Sequence, residues 1–252
     1  MKDPNVEAYD SAIFSPVTRD WYGTSDFYNV GYWSSPTLTQ AEASTALVNR
    51  LLDRHAQDPG TVLDVGCGLG ATTSAIKHRW PFAQVTGINL SQAQIEHCRR
   101  NHRDCDFAVM NATALTFSEN SFDVIFSAEA AFHFNTRRDF FSQAHRALKP
   151  GGSLLVADIL LDREHPLSKK MLAWDVPTNL DQANPDDYKT CLEDFGYRNV
   201  LVEDATEQTW RSWIRQLIDK TESTGVPAPH RHLHDAKRSN VVTYYVLVSA
   251  HK

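Results

Sequence analysis

The sequence predicts an α/β fold in which a doubly wound, mainly parallel sheet carries helices on both faces. Short apolar, β-prone runs alternate with helix-compatible stretches between 61 and 161, which is typical of parallel strands joined by right-handed helical crossovers. The run SLLVADILL at 153–161 is continuous and apolar apart from Ser153 and Asp158, as expected for a strand buried on both faces. A last strong strand, VVTYYVLVSA, spans 241–250.

The individual elements follow in order along the chain. We predict strands at 61–65, 83–88, 105–109, 122–127, 153–161 and 199–205. We predict helices at 70–79, from Ser91, from about Thr136 and at 185–195. Pro81 stops the first of these helices, and the sequence from Ser91 to Gln94 has the spacing of a capping box.

Three segments fall outside the predicted sheet, and we predict that they form a partly helical lid. The lid would cover the carboxyl ends of the strands, where open α/β sheets bind ligands. The segments are 1–55 and two insertions, near 162–184 and 206–240, in a main domain that spans 56–252. Aromatic residues in them that we expect to contact a substrate, with ordinary core packing as the alternative, are Tyr22, Tyr28, Trp33 and Trp174.

Composition and charge narrow the function classes. The 252 residues carry a net charge of −6. The sequence therefore lacks the excess of basic residues that is typical of proteins that bind nucleic acid or an anionic membrane surface. No apolar run approaches the roughly 20 residues of a membrane span, and MKDPNVEAYD lacks the apolar stretch of a signal peptide. The four cysteines form no CxxC pair. We expect a cytoplasmic protein with a small-molecule partner, and a homodimer is compatible with the sequence.

The strongest motif is VLDVGCGLGATT at 62–73. Glycines directly after a strand let the chain turn sharply and approach a ligand, and the following helix N-terminus offers free N–H groups. Gly66, Gly68 and Ala71 satisfy the G-x-G-x-x-G/A pattern of NAD enzymes, which alone is weak. Asp64, just before the turn, disfavours a phosphate and suits a ligand with an ammonium group, such as S-adenosylmethionine.

Residues 62–70 resemble motif I of the class I S-adenosylmethionine-dependent methyltransferases. The resemblance extends over about 60–160, through 86–91 at the end of the second strand, 111–117 in the adenine loop and 148–152 before the fifth strand. It implies a Rossmann-like seven-stranded sheet with its last strand antiparallel, S-adenosylmethionine as cofactor and S-adenosylhomocysteine as product. The implied cofactor-binding residues are Asp64, Gly66, Cys67, Gly68, Asn89, Leu90, Gln94, Asn111, Ala112 and Glu129.

Two positions depart from the family pattern. Asn89 stands where the family usually has an acid that accepts hydrogen bonds from both ribose hydroxyls, and an amide offers one acceptor oxygen and a donor. Asn111 likewise replaces the usual Asp at the adenine amino group. We interpret Asn89 as a variant of the cofactor site. The missing acid argues more strongly against an NAD site, which needs one about 20 residues after the glycines.

The acceptor side is predicted from the residues after the fourth strand. His133 should lie at the carboxyl edge of the sheet, where an imidazole is suited to deprotonate an alcohol. This stretch resembles the polyketide- and sugar-tailoring O-methyltransferases, in which a histidine acts as base. Asp158, at the end of the fifth strand, is similar to an acid that flanks their acceptor. We expect the Arg137–Arg138 pair to be solvated.

We therefore predict a methyltransferase acting on a hydroxyl of an apolar natural product or its sugar. His133 would be the general base, and Asp158 would orient or share the proton. We predict no metal site, because the alternating histidines at 230–234 lack a second cluster of ligands. A C- or N-methyltransferase, a cyclase that has kept the cofactor and a nicotinamide oxidoreductase remain alternatives.

Overall fold

A computed structural model describes residues 4–165, 179, 181–225 and 241–252, and its centre is a seven-stranded sheet. The strands are β1 (Thr61–Val65), β2 (Gln84–Asn89), β3 (Asp106–Val109), β4 (Phe122–Ala128), β5 (Leu148–Leu161), β6 (Arg198–Asp204) and β7 (Val242–His251). Their order is β3-β2-β1-β4-β5-β7-β6. The first five strands run parallel, and β7 lies antiparallel between β5 and β6. The predicted Rossmann-like fold is confirmed.

Helices flank both faces of this sheet. Within the described residues they are α1 (Pro4–Ile13), α2 (Pro16–Tyr22), α3 (Gln40–Leu52), α4 (Ala71–Arg79), α5 (Gln92–Asn101), α6 (Arg137–Ala147), α7 (Pro185–Asp194) and α8 (Ser212–Thr224). The helix predicted from about Thr136 begins where the sequence indicates, because the Thr136 side chain accepts from the N–H of Asp139 and the Asp139 carboxylate accepts from the N–H of Thr136.

The non-sheet segments contribute differently to the core. Leu47 and Leu51 of α3 are fully buried in one apolar cluster with residues of the sheet, so α3 covers a face of the sheet. Trp210 and Trp213 belong to the same cluster. Among the described residues of the two insertions, none lines the cavity at the carboxyl edge of the strands, whereas α1 does.

The fifth strand is longer than its apolar run. Leu148 already pairs with Phe122 of β4, and the pairing resumes at Ser153 after an irregularity. The strand continues to Leu161, so Asp158 lies inside it, paired with Val246 of β7. In the part of the chain that is described, no helix is long and apolar enough to cross a membrane.

Candidate active site

A cavity of about 390 Å³ opens at the carboxyl ends of β1, β2 and β4. Three kinds of element line it: the turns after the parallel strands, the segment after β4, and the N-terminal segment. Most of the predicted cofactor-binding residues line it together, namely Gly66, Cys67, Gly68, Asn89, Leu90, Gln94, Asn111, Ala112 and Glu129. His133 and Tyr28 line it as well. The structure therefore brings the two predicted halves of the site into one space.

The glycine turn has the backbone conformation that its sequence predicts. Gly66 has a φ of 79°, and a Cβ there would lie 2.4 Å from the Cβ of Ala130, so a side chain is excluded twice over. Gly68 has a φ of 55° and open space where a Cβ would be. The space beside Gly68 is available to a ligand, with Cys67 buried in the same turn.

Asp64 lies beneath the turn and does not line the cavity. Its side chain is 1% exposed, and Thr73 Oγ1 donates to its Oδ2 at 2.6 Å. Burial raises the pKa of Asp64 to about 7, although the Thr73 hydrogen bond favours the ionised form. The structure thus connects Asp64 to α4 through Thr73. Asp64 itself is not among the residues that line the cavity.

The predicted nucleoside end of the site is formed by the turns after β2 and β3. Asn89 Oδ1 accepts from the N–H of Ser91 at 3.1 Å, and Asn89 Nδ2 donates to Gln94 Oε1 at 2.9 Å. The Ser91 side chain caps α5 by accepting from the N–H of Gln94. The Gln94 side chain accepts from Asn89 and not from the N–H of Ser91, so only one of the two hydrogen bonds of a capping box is formed. Asn111 lines the same end, with its Oδ1 accepting from the N–H of Thr113 at 2.9 Å.

Glu129 follows β4 in a left-handed conformation with a φ of 53°, which is uncommon for a residue with a side chain. Its carboxylate accepts from the Tyr245 hydroxyl at 2.7 Å and from the N–H of Val30 at 2.9 Å. Burial raises the pKa of Glu129 to about 7, against the effect of these hydrogen bonds. The cavity therefore contains a carboxyl group that can change its charge near neutral pH.

His133 ends a short 3-10 helix (Ala131–His133) directly after Glu129 and Ala130. Its ring is edge-on to Tyr9 of α1, with the centroids 5.7 Å apart. Tyr9 is in turn edge-on to Tyr28 at 6.0 Å. An imidazole beside a small group of aromatic rings is thus present on the side of the cavity formed by the N-terminal segment.

Asp158, which the sequence predicts beside the acceptor, lies instead on the far face of the sheet. Side chains alternate along a strand, so Asp158 points to the same side as Val156, toward α6 and α7. Arg137 Nε donates to its Oδ2 at 2.7 Å and the Tyr188 hydroxyl donates to the same atom at 2.9 Å. The side chain of Asp158 is 0% exposed, and that of Arg137 2%. The expectation that Arg137 is solvated is wrong, because Asp158 and the carbonyls of Asn179 and Ile159 bind its guanidinium.

The other predicted aromatic contacts divide between cavity and core. Tyr22 is buried behind Tyr28, with ring centroids 4.7 Å apart, and does not line the cavity. Trp33 is buried in the core, where its Nε1 donates to the Val30 carbonyl at 2.8 Å. Trp174 and the histidines at 230–234 lie outside the described residues.

Sequence reasoning missed the contribution of α1. Val6, Tyr9 and Ile13 line the cavity, and their spacing of three and four residues places them on one helical face. This spacing is visible in the sequence and could have indicated the contact. The pairing of Glu129 with Tyr245 joins residues that are 116 positions apart, so no local pattern could have indicated it.

The sheet order, the antiparallel seventh strand and the glycine turn define a class of Rossmann-like enzymes that bind a nucleoside-containing cofactor at the strand ends. Residues 63–156 match the family model described as a methyltransferase domain. The chain is 32% identical to an O-methyltransferase of Pyrenophora dematioidea over 79% of this chain and 77% of that protein. It is also 32% identical to the erythromycin 3′′-O-methyltransferase of Saccharopolyspora erythraea, over 77% and 71% of the two chains.

Solved structures share the fold at lower identity. The cyclase SpnF superposes with a TM-score of 0.75 at 21% identity, covering 99% of this chain and 97% of its own. A geranyl diphosphate C-methyltransferase of Streptomyces coelicolor superposes with a TM-score of 0.73 at 18% identity, covering 99% of this chain and 98% of its own. Among relatives found by sequence, two phosphoethanolamine N-methyltransferases of Triticum aestivum are 30% and 32% identical, over 63% and 62% of this chain and 32% of each of those proteins. The chain belongs to the S-adenosylmethionine-dependent methyltransferases.

The residues of the cavity fit this cofactor. The cavity has the size of a small-ligand site, and the turn at Gly68 leaves open the space that a Cβ would occupy. Amide side chains, which both donate and accept, stand at the nucleoside end in Asn89 and Asn111. S-adenosylmethionine is the cofactor of the protein.

Proposed function

We propose that this protein transfers a methyl group from S-adenosylmethionine to a hydroxyl of an apolar small molecule, with His133 as the general base. When bound, the cofactor supplies an electrophilic methyl group. The observation that carries the proposal is that His133 lines the same cavity as Gly66, Gly68 and Asn89. A neutral imidazole at this place can take the proton that a hydroxyl must lose on methylation.

The proposal divides the cavity between the two reactants. The backbone of Gly66 and Gly68 and the side chains of Asn89 and Asn111 would hold the cofactor. Asp64 would act indirectly, by holding Thr73 in α4. Asp158 takes no part in the proposed proton transfer, because its carboxylate is engaged by Arg137 and Tyr188 on the other face of the sheet.

The aromatic rings around His133 support an apolar acceptor. Tyr9 and Tyr28 line the cavity edge-on to each other, with Tyr22 packed behind Tyr28. Flat apolar rings favour a ligand with substantial hydrocarbon surface. The names of several relatives, including the two O-methyltransferases described above, agree with a hydroxyl acceptor.

A specific observation favours a second candidate, an N-methyltransferase. Glu129 lies in the cavity near Tyr28, and a carboxylate beside aromatic faces suits an amine that carries a positive charge in its resting form. The phosphoethanolamine N-methyltransferases among the similar proteins agree with this chemistry. On this alternative Glu129, and not His133, would be the decisive group.

Turnover of hydroxyl and amine acceptors, followed by mass spectrometry of S-adenosylhomocysteine and of the methylated product, tests the proposal. We expect His133→Ala to lower kcat on a hydroxyl acceptor by about 10²–10⁴-fold and to leave the Kd for S-adenosylhomocysteine unchanged. His78→Ala, on the exposed side of α4, is the matched control and should retain the rate. Full activity of His133→Ala on the hydroxyl acceptor would refute the base assignment, and a loss with Glu129→Gln on amines alone would favour the second candidate.

A further inference from the structure

A chain of hydrogen bonds connects α1 to the side chain of Asn89. Asp10 Oδ1 accepts from Gln94 Nε2 at 2.7 Å, and Asp10 Oδ2 accepts from Ser91 Oγ at 2.9 Å. Gln94 Oε1 then accepts from Asn89 Nδ2 at 2.9 Å. Asn89, Ser91 and Gln94 all line the cavity, and so do the neighbours of Asp10 in sequence and on the helix, Tyr9 and Ile13.

The negative charge of Asp10 determines how the two amide side chains in this series of hydrogen bonds are oriented. An ionised carboxylate only accepts hydrogen bonds, whereas an amide side chain donates at one end and accepts at the other. Asp10 therefore requires the NH₂ end of Gln94, which turns the Gln94 oxygen toward Asn89. That oxygen in turn requires the NH₂ end of Asn89, so the Asn89 oxygen faces the other way.

The orientation of Asn89 matters because its oxygen has two lone pairs. The N–H of Ser91 uses one of them, at 3.1 Å, and the other can accept from a ligand. If the Asn89 amide were reversed, its NH₂ group would face the N–H of Ser91, donor against donor, and no acceptor would be offered to the cavity. The relay from Asp10 excludes this reversed state.

We propose that Asp10 is a positioning residue for the cofactor: through Gln94 it orients Asn89 so that Asn89 Oδ1 can accept a hydrogen bond from a ribose hydroxyl of S-adenosylmethionine. The negative charge absent at position 89 is in this way supplied from another element, at position 10. The proposal rests on the assignment of Asn89 to the ribose. It also makes the docking of α1 and the binding of the cofactor mutually dependent.

Binding measurements on the full-length chain test the relay without any acceptor or turnover. The Kd values of S-adenosylhomocysteine and of its 2′,3′-dideoxy analogue are measured by titration calorimetry. We expect Asp10→Asn to raise the Kd of S-adenosylhomocysteine by about three- to tenfold, the effect of one hydrogen bond, and that of the dideoxy analogue by less than about twofold. Asp20→Asn, exposed on α2, is the control and should change neither.

A second pair of variants reverses the sign of the effect. In Asn89→Asp the two carboxylates at positions 10 and 89 compete for the one NH₂ group of Gln94, and adding Asp10→Asn removes the competition. We therefore expect Asp10→Asn to weaken binding in the wild-type background and to strengthen it in the Asn89→Asp background. Thermal unfolding of each variant checks that the chain is folded.

The outcomes separate the relay from its alternatives. Equal weakening of both ligands by Asp10→Asn, or weakening in both backgrounds, would mean that Asp10 only anchors α1 and would overturn the proposal. No change in either Kd would overturn it too, while leaving the cofactor site intact. A wild-type chain that binds neither ligand would overturn the cofactor site and the relay together, whereas failure of hydroxyl methylation alone would leave the relay standing.

Discussion

Replacing Asp158 by Asn distinguishes a structural role from the acceptor-flanking role that the sequence predicts. The substitution keeps the shape of the side chain and removes its charge. Arg137 would then keep its hydrogen bonds to the carbonyls of Asn179 and Ile159, but its buried guanidinium would lose the negative charge of Asp158. The loss should therefore appear in the stability of the fold.

The magnitude follows from the burial of the pair, which is 2% exposed at Arg137 and 0% at Asp158. Breaking a buried ion pair at one partner costs about 3–5 kcal/mol, and the retained hydrogen-bond acceptor places Asp158→Asn at about 3 kcal/mol. For a chain of this size that corresponds to a decrease in Tm of about 6–12 °C. Tyr188→Phe removes one hydrogen bond to the same carboxylate and should cost about 1.5 kcal/mol.

Urea unfolding and steady-state kinetics well below the Tm together provide the assay. We expect Asp158→Asn to lose more free energy of unfolding than Tyr188→Phe, and both variants to keep kcat within a few-fold of wild type. Asp194→Asn is the matched control, since Asp194 pairs with Arg138 at 3.9 Å on the exposed side of α6, and its effect should stay within about 0.5 kcal/mol. If Asp158→Asn instead lost about two orders of magnitude in turnover rate at unchanged stability, which is the size of a lost general acid or base, this reasoning would be refuted and the acceptor role restored.

Two further predictions concern the cavity. The folded-state pKa values of Asp64 and Glu129 are about 7, above the values of the unfolded chain, so each group makes stability fall by about 1.4 kcal/mol per pH unit between about pH 4 and 7. The stability of Asp64→Asn relative to wild type should therefore rise with that slope in urea titrations across this window, and a flat difference would contradict the raised pKa. Gly66→Ala should abolish S-adenosylhomocysteine binding and lower the Tm, because its Cβ would clash with Ala130. Gly151→Ala has a similar φ of 77° with open space around its Cβ, and should lower the Tm less and retain binding.

The sequence predicts the parts of this molecule that local patterns determine. The glycine turn, the carboxyl ends of the five parallel strands and the helix starts at Ser91 and Thr136 depend on nearby residues, and the structure has them within one residue of where the sequence indicates. The start of β5 differs, because this strand begins at Leu148, five residues before its apolar run. The position of His133 in the cavity follows from the same logic, because it comes directly after a parallel strand.

What the sequence did not predict depends on long-range contacts. The burial of Arg137 depends on the carboxylate of Asp158, 21 positions away, and on the carbonyl of Asn179, 42 positions away. A charged residue at a helix start is usually solvated, so only its partners in the fold could have shown otherwise. The contact of Asp10 with Gln94 spans 84 positions and is equally invisible to a local pattern.

Two carboxyl groups, one directly after β4 and one in β5, lie close together but have different partners. The N–H of Glu129 donates to the Ala157 carbonyl at 2.8 Å, so Glu129 and Asp158 belong to the same level of the sheet. Asp158 points toward Arg137, whose Nε lies 2.7 Å from its Oδ2. Glu129 points into the cavity and is held by the uncharged Tyr245 hydroxyl and a backbone N–H, so burial raises its pKa to about 7. Paired residues on neighbouring strands face the same side of a sheet, so alternation does not separate these two acids. Glu129 comes after the last residue of β4 and has a left-handed φ of 53°, which turns its side chain away from the side that Asp158 faces. One acid is thus paired with Arg137, and the other lines the cavity together with His133.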